Sequence, residues 1–246
     1  MESILIVGYG VVGHNLHREL AALSPDICDK YKADVTTKKD GKKYDFCFIC
    51  VDTPLTNENV CDMTEVRNAI IENDASIYII KSTVLPTTTK NLSLALHKHI
   101  IFSPEYYGGT QHCNNFLFNF TILGGEKEDC LKVVQMLQRV YDARHTFHIV
   151  DAKTAELAKY MENCYLATKV VFCNQFNKIS EQFGVNYEEL RELFIQDPRV
   201  NPSHTFVYKD KPYYDSHCLN KDVTAFAEFT NNEFLKTIIK TNDSLK

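Results

Sequence analysis

The 246-residue chain has no apolar run long enough to span a bilayer. A membrane-embedded protein is therefore not expected. It has no basic cluster either: 27 Lys and Arg stand against 32 Asp and Glu, for a formal net charge of -5. Nucleic acid is thus not expected as a main partner. No basic segment or small-residue cleavage site precedes the first apolar run. Met1-Glu-Ser-Ile-Leu-Ile-Val7 is read as the way into a strand rather than as a signal peptide. Disulfide-framework spacing is missing as well. The nine cysteines are an odd number and scattered, which fits reduced thiols and a cytoplasmic location. The one C-x-x-C, Cys47 with Cys50, lies in the continuous apolar run Phe46–Val51 and has no second pair at zinc spacing. That run reads as a buried strand, and no metal site is expected. Internal repeats and low-complexity segments are lacking too. With 44% hydrophobic and 24% charged residues, the composition is that of an ordinary globular protein.

What is present begins with Ile4-Leu-Ile-Val7, followed directly by Gly8-Tyr-Gly-Val-Val-Gly13 and a helical stretch from Val11 to Leu23. Strand, glycines and helix in this order suit a dinucleotide. Gly8 permits a tight turn, Gly10 lets the backbone approach the pyrophosphate, and Gly13 lets the helix pack on the strand. Val11 and Val12 open the helix whose N-terminus would carry the pyrophosphate. Asp29 closes a second strand about twenty positions on, where an acid receives the ribose hydroxyls and favours NAD over NADP. Lys30 and Lys32 beside it pull the other way.

Strand-like runs recur at 45–51, 76–82, 100–103, 120–123 and 146–150, with helical stretches at about 62–73, 87–98 and 126–141. This alternation predicts a parallel, doubly wound Rossmann-type sheet over residues 1–150. In such sheets ligands sit at the carboxyl ends of strands. Val51, Thr53 and Pro54 stand at one such end, and Ser82 and Thr83 at the next. These are cofactor-binding candidates. Ser103-Pro104-Glu105 forms a third end, and Glu105, Tyr106 and Tyr107 are expected to face the cleft.

From Asp151 the pattern changes. Asp151 can cap a helix, and neither Pro nor Gly appears before Gly184. A helix over 152–183, apolar on more than one face, would be the spine of a smaller all-helical domain at 151–246. It would also form a homodimer interface. Lys159 and Asn163 share one face of it. On spacing alone, their stripe beside Glu156 reads as solvated. A helix at about 187–196 and a terminal one near 222–240 follow. Within Ser216-His-Cys-Leu-Asn-Lys-Asp222, a helix starting near Cys218 would put the thiol and Asp222 on one face. Its N-terminus would favour the thiolate, the nucleophilic form. Most lone cysteines, however, are small buried hydrophobes.

Taken in order, these pieces resemble the UDP-glucose/GDP-mannose dehydrogenases, the nucleotide-sugar 6-dehydrogenases. Ile49-Cys-Val-Asp-Thr-Pro-Leu55 with Asp62, Lys81-Ser-Thr-Val-Leu-Pro86 and Phe102-Ser-Pro-Glu-Tyr106 resemble motifs of that family. So do Ala155-Glu-Leu-Ala-Lys159 with Asn163 and Asn174, Asp197-Pro-Arg-Val200, and Cys218-Leu-Asn-Lys-Asp222. The resemblance implies a four-electron oxidation of a nucleotide-sugar primary alcohol to a carboxylate, with two NAD reduced. Cys218 would hold the intermediate, and Lys159 and Asn163 would meet the oxyanion. Asp222 would handle water, helped by Thr83 and Glu105, and Arg199 would reach the substrate region. The chain departs from the family in several places. Tyr213-Tyr-Asp-Ser-His217 replaces a glycine-rich stretch, Asn220 replaces a proline, and a second glutamate after Glu105 is missing. The stretch from Asp29 to Tyr44 is short, and a third, nucleotide-binding domain has no counterpart in the 246 residues. Two other readings stay open. One is a two-electron dehydrogenase of a small hydroxy acid, which needs no covalent thiol. The other is a non-catalytic NAD-binding subunit.

Overall fold

The structure, a computed structural model, describes residues 2–106 and 118–246. Tyr107 lies outside the described residues. The chain forms two compact units: Met1–Thr56 with Cys61–Lys159, and Asn57–Val60 with Tyr160–Lys246.

The first unit is built on strands β1 (Ile4–Val7), β2 (Asp26–Cys28), β3 (Tyr44–Ile49), β4 (Ala75–Ile80), β5 (Ile100–Phe102), β6 (Phe120–Gly124) and β7 (Thr146–Val150). They form one sheet in the order β2-β1-β3-β4-β5-β6-β7. Helices α1 (Val11–Glu19), α2 (Thr64–Ile71), α3 (Thr88–Leu96) and α4 (Lys127–Leu137) connect them. The central strands are continuous apolar runs because both faces are covered. Alternate residues feed two cores. Leu5, Cys47, Ile49, Tyr78, Ile80 and Phe102 enter one; Ile6, Phe48, Ile79 and Ile101 enter the other.

The Rossmann-type architecture is the expected one, with one departure from all-parallel pairing. β6 runs antiparallel to β5 and meets it at a single position, Phe102 with Gly124. The apolar pattern of a run carries no direction, and an antiparallel neighbour satisfies it equally. The first helix is also shorter than its pattern. It stops at Glu19, and a 3₁₀ turn covers Ala21–Leu23.

Helix α5 (Ala152–Gln182) starts in the first unit and continues into the second. Asp151 caps it, accepting from Thr154 N at 3.0 Å. Gly184, at φ +67, ends it. The stripe expected to be solvated is not. Glu156 and Asn163 are both buried. Within the first unit the Glu156 carboxylate accepts from Thr87 N at 2.6 Å, Thr89 N at 2.9 Å and Thr89 Oγ1 at 2.6 Å. It thereby caps the N-terminus of α3, which has no side-chain cap of its own.

In the second unit, Cys164, Ala167 and Val171 of α5 pack on Leu219, Val223 and Ala227 of α7 (His217–Thr230) and on Leu235 and Ile238 of α8 (Glu233–Asp243). α6 (Tyr187–Phe194) follows α5. The single terminal helix expected near 222–240 is in fact this pair. Asn231 turns the chain at φ 50, and Asn232 caps α8 by accepting from Leu235 N at 3.1 Å. Asparagine tolerates the left-handed region, a break that apolar periodicity does not reveal. No described helix is long and apolar enough to cross a membrane.

Replacing Glu156 with Ala strands two amides and a hydroxyl in a dry site. The cost is expected to be about 3 kcal/mol, read as a lowered urea midpoint with an unchanged m-value. A loss within error of zero would remove Glu156 from the fold's supports.

Candidate functional site

The cofactor candidates converge at the carboxyl ends of β1 to β4. Gly8 sits at φ +90, and a Cβ there would lie 2.5 Å from the carbonyl oxygen of Cys50. A Cβ on Gly13 would lie 1.9 Å from the carbonyl oxygen of Gly8. Both glycines are thus required by contact, Gly8 also by conformation. Gly10 is different: a Cβ there would meet nothing within 4 Å. Open space therefore lies over the start of α1, where Val11 is 64% exposed. That helix has no side-chain cap and no acid in its first turn, so its leading N–H groups are available to an anion. These features fit a dinucleotide pyrophosphate.

Asp29 follows β2 and turns toward the same loop. Its Oδ2 accepts from Tyr9 N at 2.7 Å and its Oδ1 from Tyr31 N at 2.8 Å. Burial works to raise its pKa, but the backbone N–H groups of Tyr9, Tyr31 and Lys32 outweigh burial. The carboxyl is held below the usual range. Lys30 pairs with Glu65 at 2.6 Å. Lys32 donates to the carbonyl oxygen of Tyr9 at 2.8 Å.

The next strand ends are cross-braced. Ser82 Oγ donates to the carbonyl oxygen of Val51 at 2.6 Å, and Thr53 Oγ1 donates to that of Thr83 at 3.0 Å. Thr53 is buried and Pro54 exposed. Lys81 reaches across to the carbonyl oxygen of Pro104 at 3.2 Å. Burial depresses its pKa, and the nearby Glu105 carboxylate opposes that shift. Tyr106 packs against Phe120, ring centroids 5.1 Å apart, and Phe118, 5.6 Å apart. The Lys159 ammonium lies 4.8 Å from the Tyr106 ring centroid.

Thr83, Glu105 and Lys159 belong to the first unit; Asn163, Arg199, Cys218 and Asp222 belong to the second. In the second, Ser216 caps α7, accepting from Leu219 N at 3.1 Å. Cys218 thus lies in the first turn, exposed. Asp222, one turn on, is 1% exposed. Its Oδ2 accepts from Asn163 Nδ2 at 2.6 Å, and its Oδ1 from Lys221 Nζ at 2.5 Å. Arg199 is exposed and forked onto Asp197, Nη2 to Oδ2 at 2.6 Å.

Three residues stand out that sequence reasoning did not place in the site. Lys221 neighbours Asp222, and adjacent helical residues do not share a face; only the folded-back side chain joins them. Lys81 was visible as a lysine closing an apolar run. Arg191 is buried, its guanidinium 3.7 Å from the Phe206 ring centroid and its Nε 2.8 Å from Thr205 Oγ1. Nothing in its spacing marked it. Among the described residues, no group of His, Cys, Asp and Glu is arranged to hold a metal.

Comparison with known proteins agrees with this geometry. Residues 16–145 match the NAD binding domain of the UDP-glucose/GDP-mannose dehydrogenase family, and residues 153–244 match its central domain. UDP-N-acetyl-D-mannosamine dehydrogenase of Methanocaldococcus jannaschii is 31% identical over 244 residues, covering 93% of this chain and 55% of the relative. UDP-glucose 6-dehydrogenase of Rickettsia felis is 28% identical, over 79% of this chain and 47% of its own. The structure of a UDP-glucose dehydrogenase from Pyrobaculum islandicum shares the fold at TM-score 0.82 and 19% identity, covering 99% of this chain and 68% of that one. The chain spans about half the length of these curated relatives. Two domains matched in order, the first of them NAD-binding, show that the chain belongs to the UDP-glucose/GDP-mannose dehydrogenase family and that its cofactor is NAD.

Proposed function

We propose that the chain carries the oxidation of a UDP-sugar, UDP-glucose or a close analogue, from the C6 alcohol to the carboxylate. The observation that supports this most is the placement of Cys218. It is exposed in the first turn of α7, one turn from the buried carboxylate of Asp222. A single hydride transfer needs no such thiol. Relatives named as UDP-glucose and UDP-N-acetyl-D-mannosamine dehydrogenases support a UDP-sugar as the substrate class.

NAD, when bound, supplies the hydride acceptor for both oxidations. The chain's own residues do the rest. Gly10 and the start of α1 would receive the pyrophosphate and Asp29 the ribose, with Val51, Thr53, Pro54, Ser82 and Thr83 as the further residues that would hold the cofactor. Loss of a hydride and a proton from the C6 alcohol gives the aldehyde; the Cys218 thiolate adds to its carbon, and protonation of the resulting alkoxide forms a thiohemiacetal. Loss of hydride and a proton turns this into a thioester. Water then cleaves the C–S bond, releasing the carboxylate and returning the thiol. Asn163 gives one amide N–H to Asp222. Its second N–H and the Lys159 ammonium can meet the oxyanion. Asp222 receives one donor on each oxygen and keeps lone pairs to orient water, with Thr83 and Glu105 assisting. In this reading Glu105, Tyr106 and Arg199 are substrate-binding residues, the role that the family resemblance gives them. Tyr107 is proposed with them from sequence alone.

The proposal extends to a homodimer through α5. Met161, Tyr165, Phe172, Phe176, Ile179 and Phe183 are each at least 40% exposed. At the helical repeat they fall within an arc of about 60°. An exposed apolar stripe of this length is what a self-complementary interface covers.

Three outcomes are expected. With UDP-glucose or UDP-N-acetyl-D-mannosamine, two NADH form per acid, and Cys218→Ala lowers turnover at least about 1,000-fold. One NADH per product, or turnover untouched by the substitution, would sink the covalent route. In the native chain at pH 8, an alkylating reagent labels Cys218 at least about tenfold faster than Cys50 or Cys164 by peptide mass spectrometry. Burial pushes both of those thiols up to about 12. In sedimentation runs at micromolar concentration the wild type has dimer mass, and Phe176→Glu with Phe183→Glu returns it to monomer. A monomeric wild type would overturn the interface.

A further inference from the structure

The adenosine end of the cofactor site carries two opposed signals in adjacent residues. An acid at the end of the second strand receives ribose hydroxyls, and a cation close by accommodates the 2′-phosphate of NADP. Asp29 is the acid and Lys30 the cation. Asp29 turns inward, each carboxylate oxygen accepting one backbone N–H, from Tyr9 and Tyr31. Lys30 turns away. Its ammonium sits 2.6 Å from Glu65 Oε2 and 4.9 Å from the ring centroid of Tyr31. Glu65 lies in the first turn of α2, where a carboxylate is favoured by the helix dipole. The second nearby cation, Lys32, is committed to the carbonyl oxygen of Tyr9 at 2.8 Å.

We propose that Glu65 is a specificity-determining residue. By holding Lys30 on α2 it withholds the cation that a 2′-phosphate would need, and its charge adds to the repulsion from Asp29. Selection of NAD thus has two parts. Asp29 attracts the ribose hydroxyls, and Glu65 neutralises Lys30, the adjacent cation that would reward the wrong cofactor. Specificity of this kind is a difference of two affinities, set as much by what is denied to the competitor as by what is given to the ligand. The pair is solvent-accessible, with side chains 53% and 35% exposed. Its effect is therefore modest, screened by salt, and best read as a ratio.

The test is calorimetric titration of the whole chain with NAD and, separately, NADP at low salt. The proteins are the wild type, Glu65→Gln, Asp29→Asn, Asp29→Asn with Glu65→Gln, and Glu65→Gln with Lys30→Ala. Glu65→Gln is expected to tighten NADP about threefold to tenfold and to leave NAD within about twofold. The same factor should separate Asp29→Asn from its double variant. Lys30→Ala should abolish the gain, and high salt should shrink it. An unchanged NADP-to-NAD ratio in Glu65→Gln would overturn the proposal, as would a gain that survives Lys30→Ala. Wild-type chain that binds no NAD at millimolar concentration would remove the cofactor site and this inference with it.

Discussion

One buried carboxylate ties α5 to α3 within the first unit. Glu156 reaches from the second turn of α5 into the first turn of α3 and satisfies three donors there. α3 begins just past the β4 strand end that carries Ser82 and Thr83. Lys159 follows Glu156 by less than one helical turn. A single charge-assisted cluster therefore fixes where α5 leaves the sheet and how its polar stripe is rotated.

The carboxyl edge of the sheet is a second coherent element. Loops at strand ends usually bond to water. Here Ser82, Thr53 and Lys81 instead bond to the carbonyls of neighbouring loops. Each is a short polar side chain, or in Lys81 a long one, spent on backbone rather than on solvent. A cofactor meeting this edge would find it already ordered, so little conformational entropy remains to be lost on binding. The same logic holds around Asp222, whose two oxygens are each supplied with one donor before any substrate arrives.

Much of this was legible in the residues. The spacing of Gly8, Gly10, Gly13 and Asp29 is a local pattern with a local cause, and at Gly8 and Gly13 the backbone leaves no room for a Cβ. Asp151 and Gly184 marked the ends of α5 because caps and left-handed stops are written in single residues. Less legible was anything that depends on a partner far along the chain. Glu156 read as solvated because its three partner atoms lie at Thr87 and Thr89, 69 and 67 positions away. The reversed direction of β6 is invisible in an apolar run. The pairing of Lys221 with Asp222 depends on a side chain curling back along its own helix. The break at Asn231 is a backbone choice that hydrophobic period does not report.

The approach of α1 to β1 has a consequence for how this protein can vary. At position 13 a single added carbon would stand 1.9 Å from the carbonyl oxygen of Gly8. Every missense change at that codon adds at least that carbon, so the position offers no conservative step and no graded series of weaker alleles. Gly10, three residues earlier, would meet nothing with the same atom. The chain could accept a Cβ there with its fold intact. Two glycines of one motif thus sit under different constraints, one imposed by the protein's own backbone and the other by whatever enters the open space above α1.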